Sequence, residues 1–342
     1  MVLGNRQPDR ADTVLVLQPT SGTASGGSDF DATPITVTIS AGDTAASVSV
    51  PTVEDAVAEP TETFTLAVGS VTSGVVGDTS DTGTGTITDD DAPDVFIDDV
   101  TAAEGDALVF TVTLSNPTYE TIQVDLTPTG VTATGGADYA AGTVTATFAP
   151  GDTSATATIA GIQDTVDEND ETFTLAVTSS TGDLGDTSDI GTGTITDDDG
   201  PPSVTIGDAA TVEGGDLSFP ITLSNPSSED ITIVISLTDV TATAGDDYTA
   251  GTVSVTIPAG ATTGTAIVPT LDDTLDEPTE TLTAAITSTS GGAVGDTSDT
   301  ATGSITDNDA APSVTIGDAS VIEGGDLVFD VTLSNPSAQA IT

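Results

Sequence analysis

The sequence predicts an all-β protein, built as a tandem array of antiparallel β-sandwiches with about 109 residues in each module. Three observations lead to this prediction. Several phrases recur at a fixed spacing, short segments alternate apolar with polar residues, and the composition favours strands. The apolar residues, 36% of the chain, are mostly Ala and Val, and Thr is very frequent, which suits strands and small sandwich cores.

The repeated phrases set the length of a module. GTGTITDDD occurs at residues 83–91 and 191–199 and returns as TGSITDND at 302–309. Asn116, Asn225 and Asn335 each follow a (V/I)TLS phrase and are 109 and 110 residues apart. This spacing matches the size of one sandwich domain.

Alternation within a module predicts about seven strands. In residues 171–178, Phe173, Leu175 and Val177 alternate with Thr or Ala, so one strand face is apolar. Similar runs occur at 108–114, 121–126, 143–148, 153–159 and 191–196, after an opening strand near 95–97. Gly, Pro, Asn and Asp separate the runs, and no segment shows a helical period.

The phase of the repeat predicts four segments. We expect residues 1–91 (repeat 1) to be a module that lacks its first two strands, since Val2–Asn5 resembles the end of a second strand. Residues 92–199 (repeat 2) and 200–309 (repeat 3) are expected to be complete modules. Residues 310–342 (the tail) are expected to be the first two strands of a further module.

The charge balance is extreme. The chain has 55 Asp and Glu against two basic residues, Arg6 and Arg10, and it has no His, Cys or Trp. From Ala11 onward no fixed positive side chain is available, so clustered carboxylates need a cation from solution. Nucleic acid and anionic membrane surfaces are excluded as direct partners, because binding them needs basic groups.

Four motifs recur in register, with single changes among the repeats: E-G near the first strands (V-x-E-G at 321–324), G-x-D-(Y/F), D-x-x-x-E-x-x-E-T-(F/L) and I-T-D-(D/N)-D. From about Thr13 onward, this order resembles the Calx-β family, named from sodium–calcium exchangers and also found in integrin β4 and large bacterial surface proteins. The resemblance implies immunoglobulin-like sandwiches that bind several Ca²⁺ ions at one end.

The resemblance also implies the metal ligands, which are the acidic residues of these four motifs in each repeat. Repeat 1 offers Asp29, Asp55, Glu59, Glu62, Asp89, Asp90 and Asp91. Repeat 2 offers Glu104, Asp138, Asp164, Glu168, Glu171, Asp197, Asp198 and Asp199. Repeat 3 offers Glu213, Asp247, Asp272, Asp273, Glu277, Glu280, Asp307 and Asp309.

Two positions depart from the pattern. The three acidic positions that end each repeat are called the exit motif here. In repeat 3, Asn308 replaces the middle Asp of the exit motif, and this replacement keeps an oxygen but removes a charge. Gln163 stands where repeat 3 has Asp272, and this predicts fewer ions or weaker binding in repeat 2.

Topology gives a separate argument for metal. Acidic segments in alternate connections of an antiparallel sandwich converge at one end, where seven or eight carboxylates would meet. All these ligands are hard oxygens, which favours Ca²⁺ over zinc or copper. An acidic linker and the opening of a strand are the simpler alternatives for D-D-D and E-T-F.

A catalytic function is not expected. The chain lacks His, Cys and Lys and has no Gly-rich phosphate loop. A carboxylate pair can hydrolyse a glycoside, but acids repeated at the same loops in three modules indicate a repeated binding site.

We therefore expect a calcium-binding structural or adhesive array of an extracellular or cell-surface protein, bacterial and secreted, in which Ca²⁺ makes the modules and their junctions rigid. The alternative is the regulatory calcium-sensor region of a membrane protein. The expected partners are calcium ions and neighbouring modules, without direct membrane insertion by this segment.

The tail leaves two explanations open. The chain is a segment of a longer array, or residues 310–342 complete repeat 1 of a neighbouring chain by strand addition. The second explanation predicts head-to-tail self-association.

Overall fold

The computed structural model describes residues 11–342, and within them every regular element is a β-strand. The predicted all-β class is thus confirmed. The similarity noted for Val2–Asn5 lies outside the described residues. None of the described residues belongs to a helix that is long and apolar enough to cross a membrane.

Backbone contacts divide the chain into two compact units. The first unit holds the described residues up to Ala102, together with Asp106–Ile162 and Thr172–Thr194. The second unit holds Ala103–Gly105, Gln163–Glu171 and Ile195–Thr342. Repeat 1 and most of repeat 2 therefore lie in the first unit. Most acidic segments of repeat 2 lie in the second unit, with repeat 3 and the tail.

Repeat 2 forms a sandwich of three plus five strands. The smaller sheet has the order β10-β7-β5 and the larger sheet the order β6-β12-β11-β8-β9. The strands are β5 (Val95–Ile97), β6 (Val100–Ala103), β7 (Ala107–Leu114), β8 (Ile122–Gly130), β9 (Val144–Phe148), β10 (Ser154–Ala160), β11 (Glu171–Ser180) and β12 (Ile190–Thr196).

Repeat 3 has the same topology. Its sheets have the orders β13-β15-β18 and β14-β20-β19-β16-β17. The strands are β13 (Val204–Ile206), β14 (Ala209–Val212), β15 (Asp216–Leu223), β16 (Ile231–Asp239), β17 (Thr252–Ile257), β18 (Thr263–Pro269), β19 (Glu280–Gly291) and β20 (Thr300–Thr306).

Each complete repeat has one strand more than the alternation predicts. This strand is β6 in repeat 2 and β14 in repeat 3, each only four residues long. In repeat 3, β14 pairs in parallel with β20 at the edge of the larger sheet, just before Glu213. Four residues with a mixed pattern show no clear period, so only the pairing partner reveals the strand.

Repeat 1 contains a single sheet of four strands within the described residues, in the order β2-β1-β3-β4. The strands are β1 (Thr13–Ser21), β2 (Ile35–Ile39), β3 (Glu62–Ser73) and β4 (Thr82–Ile87). Residues 45–51, which correspond to β10, form no strand. In repeat 2, β10 pairs with β7, and the described part of repeat 1 has no strand equivalent to β7.

The tail contains one antiparallel pair, β21 (Val314–Ile316) with β22 (Val331–Leu333). Its large apolar side chains are between 43% and 68% exposed at the positions whose equivalents in repeat 3 face the core: Val314, Ile316, Leu327, Phe329, Val331 and Leu333. The equivalent residues of repeat 3, such as Leu217 and Phe219, are fully buried.

The cores explain two of the recurring motifs. Tyr139 of G-x-D-Y stacks on Phe173 of E-T-F with ring centroids 4.4 Å apart, and Phe30 stacks on Phe64 at the same distance in repeat 1. Each E-T-F ring also covers a glycine of the G-T-G-T-I-T strand. A Cβ at Gly193 would overlap the ring of Phe173, and a Cβ at Gly85 would overlap Phe64.

This packing predicts the effect of a methyl group at Gly193. Gly193→Ala should lower the free energy of unfolding by roughly 1–3 kcal/mol, because the Phe173 ring must move within a packed core. Urea unfolding followed by circular dichroism measures this loss. Gly142→Ala is the matched control, since no atom lies within 4 Å of its Cβ position. Equal stability of the two variants would contradict the packing argument.

Candidate metal centre

The aromatic stack brings two acidic loops together in repeat 1. Asp29 precedes Phe30, and Glu62 lies two residues before Phe64, so the stacked rings place both carboxylates at the same end of the sheet. One oxygen from each of Asp29, Glu59 and Glu62 lies within 4.8 Å of the others. Burial, aided by the nearby Asp29 carboxyl, raises the pKa of Glu62 above its usual value.

Aspartates fix the shape of these loops with one carboxylate oxygen. Asp138 Oδ2 accepts the Thr134 amide at 2.5 Å, and Asp247 Oδ2 accepts the Thr243 amide at 2.6 Å. In the next acidic loop, one oxygen of Asp55, Asp164 or Asp273 accepts the amide two residues later at 2.7–2.8 Å. A carboxylate has two oxygens, so these residues can order the loop and still offer a ligand atom.

In repeat 3 the acidic groups form one cluster at the end of the sandwich. Glu213, Asp247, Glu277, Glu280 and Asp307 line one small cavity. One oxygen from each of Glu213, Asp307 and Asp309 also lies within 4.8 Å of the others. Asp273 is close enough to Glu277 for its charge to raise the pKa of that carboxyl, after the larger effect of burial.

In repeat 2 the structure brings together Glu104, Asp164 and Asp199, with one oxygen of each within 4.8 Å of the others. Glu104 is only 9% exposed, and its Oε1 accepts the Asp164 amide at 2.9 Å. Asp138 belongs to the first unit, whereas Glu168 and Glu171 belong to the second. A shared site for these three residues remains a prediction.

The remaining predicted ligands have different surroundings. Burial raises the pKa of Glu59, and the negative charges of Asp55 and Asp89 raise it further. Asp90 and Asp91 form a close group with Glu54. Asp198 and Asp272 each accept a hydrogen bond from an amide side chain, Gln163 and Asn308 respectively.

Glu54 is a candidate ligand that lies just outside the four recurring motifs and was not among the predicted ligands. The repeat contains a signal for it, because Glu54, Gln163 and Asp272 are each 109 residues apart. The residue before the first Asp of the D-x-x-x-E motif therefore belongs to the acidic end of every repeat.

The exit motifs supply the strongest indication of a cation. Asp197 Oδ1, Asp199 Oδ2 and Asp309 Oδ2 are buried carboxylate oxygens that lack a hydrogen-bond partner. Buried polar atoms normally have a partner, and a buried charge without one is strongly destabilising. No basic residue occurs from Ala11 onward to supply such a partner.

The residues present fit Ca²⁺. The donors in each cluster are carboxylate oxygens. Ca²⁺ takes six to eight oxygen ligands in a flexible geometry. The clusters contain no His or Cys, so they lack the ligands that favour zinc or copper. A divalent ion would neutralise two carboxylates and give the unpartnered oxygens a ligand bond.

The comparisons with known proteins identify the family of the chain. The family model described as the Calx-beta domain matches the chain three times, over residues 2–91, 89–199 and 203–309. The chain belongs to the Calx-beta family. It carries Calx-beta domains in tandem, and these are binding and regulatory domains of a calcium-binding family. The resemblance noted in the sequence is thus confirmed.

Solved structures similar to this Calx-beta chain include three from the same family. CBD12 from CALX1.2 is 18% identical over 57% of this chain and 80% of that chain, with a TM-score of 0.30. The calcium-binding domain CBD12 of CALX1.1 has the same identity and coverage, with a TM-score of 0.29. The apo-form Calx CBD1 domain is 22% identical over 32% of this chain and 99% of that chain, with a TM-score of 0.30. No curated protein matches the sequence.

The electrostatics of the clusters predict an unusual pH dependence without metal. Burial, together with Asp307, raises the pKa of Glu213 from 4.5 to about 7, and burial, together with Asp247, raises that of Glu280 from 4.5 to about 7. Between the unfolded and folded pKa values the folded state binds more protons, so stability falls as pH rises. We expect the melting temperature in EDTA to fall between pH 5 and pH 7.5.

The variant Glu213→Gln with Glu280→Gln tests the origin of this effect. Its uncharged amides cannot titrate, so the fall in melting temperature over that interval should become smaller than in the parent. Asp152→Asn, an exposed change outside the clusters, should keep the parent's pH profile. A parent whose melting temperature rises from pH 5 to pH 7.5 would contradict the raised pKa values.

Proposed function

We propose that this chain is a calcium-binding structural or adhesive array of an extracellular or cell-surface protein, in which Ca²⁺ makes the modules and their junctions rigid. The three modules of the proposal are residues 1–91, 92–199 and 200–309, followed by the opening strands of a further module. The observation that carries the proposal is the set of buried, unpartnered oxygens on Asp197, Asp199 and Asp309. These residues are among the last three of their modules, and Pro201 or Pro312 follows within four residues.

A second observation connects the candidate ligand loops to the junctions. In repeat 2, Asp167 immediately precedes the candidate ligand Glu168. The Asp167 amide donates to Pro226 O at 3.0 Å, and its carbonyl accepts the Ser228 amide at 3.0 Å. Pro226 and Ser228 belong to the Asn-Pro turn of repeat 3, so the loop next to the site also holds the next module.

The same bridge recurs at the other two junctions. Ala58, which precedes Glu59, bonds to Pro117 O and the Tyr119 amide, both at 2.9 Å. Asp276, which precedes Glu277, bonds to Pro336 O at 3.2 Å and to the Ala338 amide at 3.0 Å. The Asn-Pro turns are therefore docking points for the preceding module.

These contacts suggest how ion binding would stiffen a junction. The exit Asp residues and the loop Glu belong to one acidic end, and the residue before that Glu holds the following module. An ion bound there would draw the loop and the exit segment together by neutralising their mutual repulsion. The loop would then lose the freedom to move away from the Asn-Pro turn.

The charge and the ion suit the outside of a cell. Extracellular calcium modules have dissociation constants of about 10⁻⁴–10⁻³ M, and weak oxygen sites of this kind are occupied only where calcium is abundant. A formal charge of −53 also keeps such an array soluble and repels it from anionic surfaces. An adhesive role further requires a target, and the exposed faces of the modules are where it would bind.

Calcium should stabilise the fold. At about 100-fold excess over its dissociation constant, one site adds roughly 2.7 kcal/mol to the free energy of unfolding. Thermal unfolding in Ca²⁺ and in EDTA, at equal ionic strength set with KCl, measures the difference. The expected result is a higher melting temperature in Ca²⁺. An equal melting temperature in both buffers would contradict the proposal.

Calcium should also protect the junction between repeats 2 and 3. Hydrogen exchange at the Ser228 amide, followed by mass spectrometry, should be slower in Ca²⁺ than in EDTA. Asp197→Ala with Asp199→Ala should abolish this difference, because it removes the carboxylates at the exit of repeat 2. Asp152→Ala with Asp326→Ala removes the same charge from exposed positions and should keep it. Calcium protection that survives in the first variant would show that the exit Asp residues do not couple the ion to the junction.

A further inference from the structure

One pair of positions at the acidic end differs among the three repeats. The first member precedes the D-x-x-x-E motif and is Glu54, Gln163 or Asp272. The second member is the middle residue of the exit motif and is Asp90, Asp198 or Asn308. Repeat 1 therefore has two carboxylates, whereas repeats 2 and 3 each have one carboxylate and one amide.

In repeat 2 the amide belongs to the loop. Gln163 Nε2 donates to Asp198 Oδ1 at 2.9 Å and to the backbone oxygen of Asp164 at 3.3 Å. The opposite orientation would place the amide oxygen against both of these acceptors. The Gln163 Oε1 atom instead faces Gly105, only 2.6 Å from the position that a Cβ would take there.

In repeat 3 the amide belongs to the exit motif, so the pair is reversed. Asn308 Nδ2 donates to Asp272 Oδ1 at 3.0 Å and to the backbone oxygen of Glu213 at 3.4 Å. A flipped amide would again set oxygen against oxygen. The two repeats thus make the same contact between the same two positions, with donor and acceptor exchanged.

In repeat 1 no amide is available at either position. One oxygen from each of Glu54, Asp90 and Asp91 lies within 4.8 Å of the others. Like charges at such a distance repel, and no basic residue of the described chain can separate them. The two positions are joined by an amide-to-carboxylate hydrogen bond in repeats 2 and 3, whereas in repeat 1 two carboxylates, Glu54 and Asp90, occupy them.

We propose that the Gln163 and Asn308 amides take the place of a cation. Repeats 2 and 3 each bind one ion fewer than they would if both members of the pair were carboxylates. This inference rests on the proposed calcium-binding function. An amide NH₂ satisfies the facing carboxylate through N–H donors, and its nitrogen has no lone pair to offer a metal. Gln163 and Asn308 therefore set the calcium capacity of their repeats.

The exchanged donor and acceptor predict which single substitution removes the hydrogen bond in each repeat. Because only one member of each pair is an amide, a single substitution should open each position: Gln163→Glu in repeat 2 and Asn308→Asp in repeat 3. Each variant copies a residue that another repeat already carries, Glu54 or Asp198, at the equivalent position. The fold should therefore accept both changes.

The test counts calcium ions bound to the full chain by equilibrium dialysis with ⁴⁵Ca²⁺. Each single variant should bind one ion more than the parent, and the double variant two more. Gln123→Glu adds the same charge at an exposed position on β8 and should bind as many ions as the parent. In EDTA, Gln163→Glu should also melt about 5 °C lower than Gln123→Glu, since it exchanges a hydrogen bond for a repulsion.

The outcomes separate the inference from the function on which it rests. A parent that binds no calcium would overturn the proposed function. A parent that binds calcium, with both variants binding the same number of ions, would overturn the inference and leave the function standing. Unchanged counts would then mean that the amides turn and ligate through oxygen. Equal melting temperatures of Gln163→Glu and Gln123→Glu in EDTA would contradict the cation-like role of the amide. This measurement needs no metal.

Discussion

The structure depends on how carboxylates are neutralised in a chain that has no basic residue after Arg10. An acidic cluster in most proteins is balanced by Lys or Arg, and burial of a charge without such a partner is costly. Here the chain uses three internal means. Backbone amides bond to Asp138 and Asp247, side-chain amides bond to Asp198 and Asp272, and raised pKa values keep Glu213 and Glu280 protonated up to about pH 7. The buried oxygens that remain without a partner are the ones that favour an external cation.

The hydrophobic core decides where these carboxylates meet. In repeat 1 the Phe30 and Phe64 rings stack against each other, and each stands within two residues of an acidic position. The glycine opposite the ring, Gly85, allows the strand that leads to the exit motif to lie close to it. Packing and ligand placement are therefore properties of the same residues, and a loss of packing would also displace the site.

The repeats share one architecture but differ in their junctions and charges. Every junction has the same pair of backbone hydrogen bonds to an Asn-Pro turn, which require no particular side chain at the bridging residue. Ala58 can therefore replace Asp167 or Asp276 without loss of the bridge. Charge is what varies: the amides in repeats 2 and 3 remove one negative charge from each acidic end. The backbone thus keeps the connection constant, while single side chains adjust the demand for cations.

The sequence by itself determined the all-β class, the family and most of the acidic positions, because alternation and the repeat period are properties of the chain alone. It did not reveal β6 and β14, whose four residues become strands only through pairing at the edge of a sheet. It also did not reveal Glu54, the bridge from Asp167 to the Asn-Pro turn, or the exchanged amide pairs. These contacts join residues that are far apart in the chain, 35 or 36 positions for the amide pairs and 59 to 61 for the bridge. Only the folded backbone brings such residues within hydrogen-bonding distance.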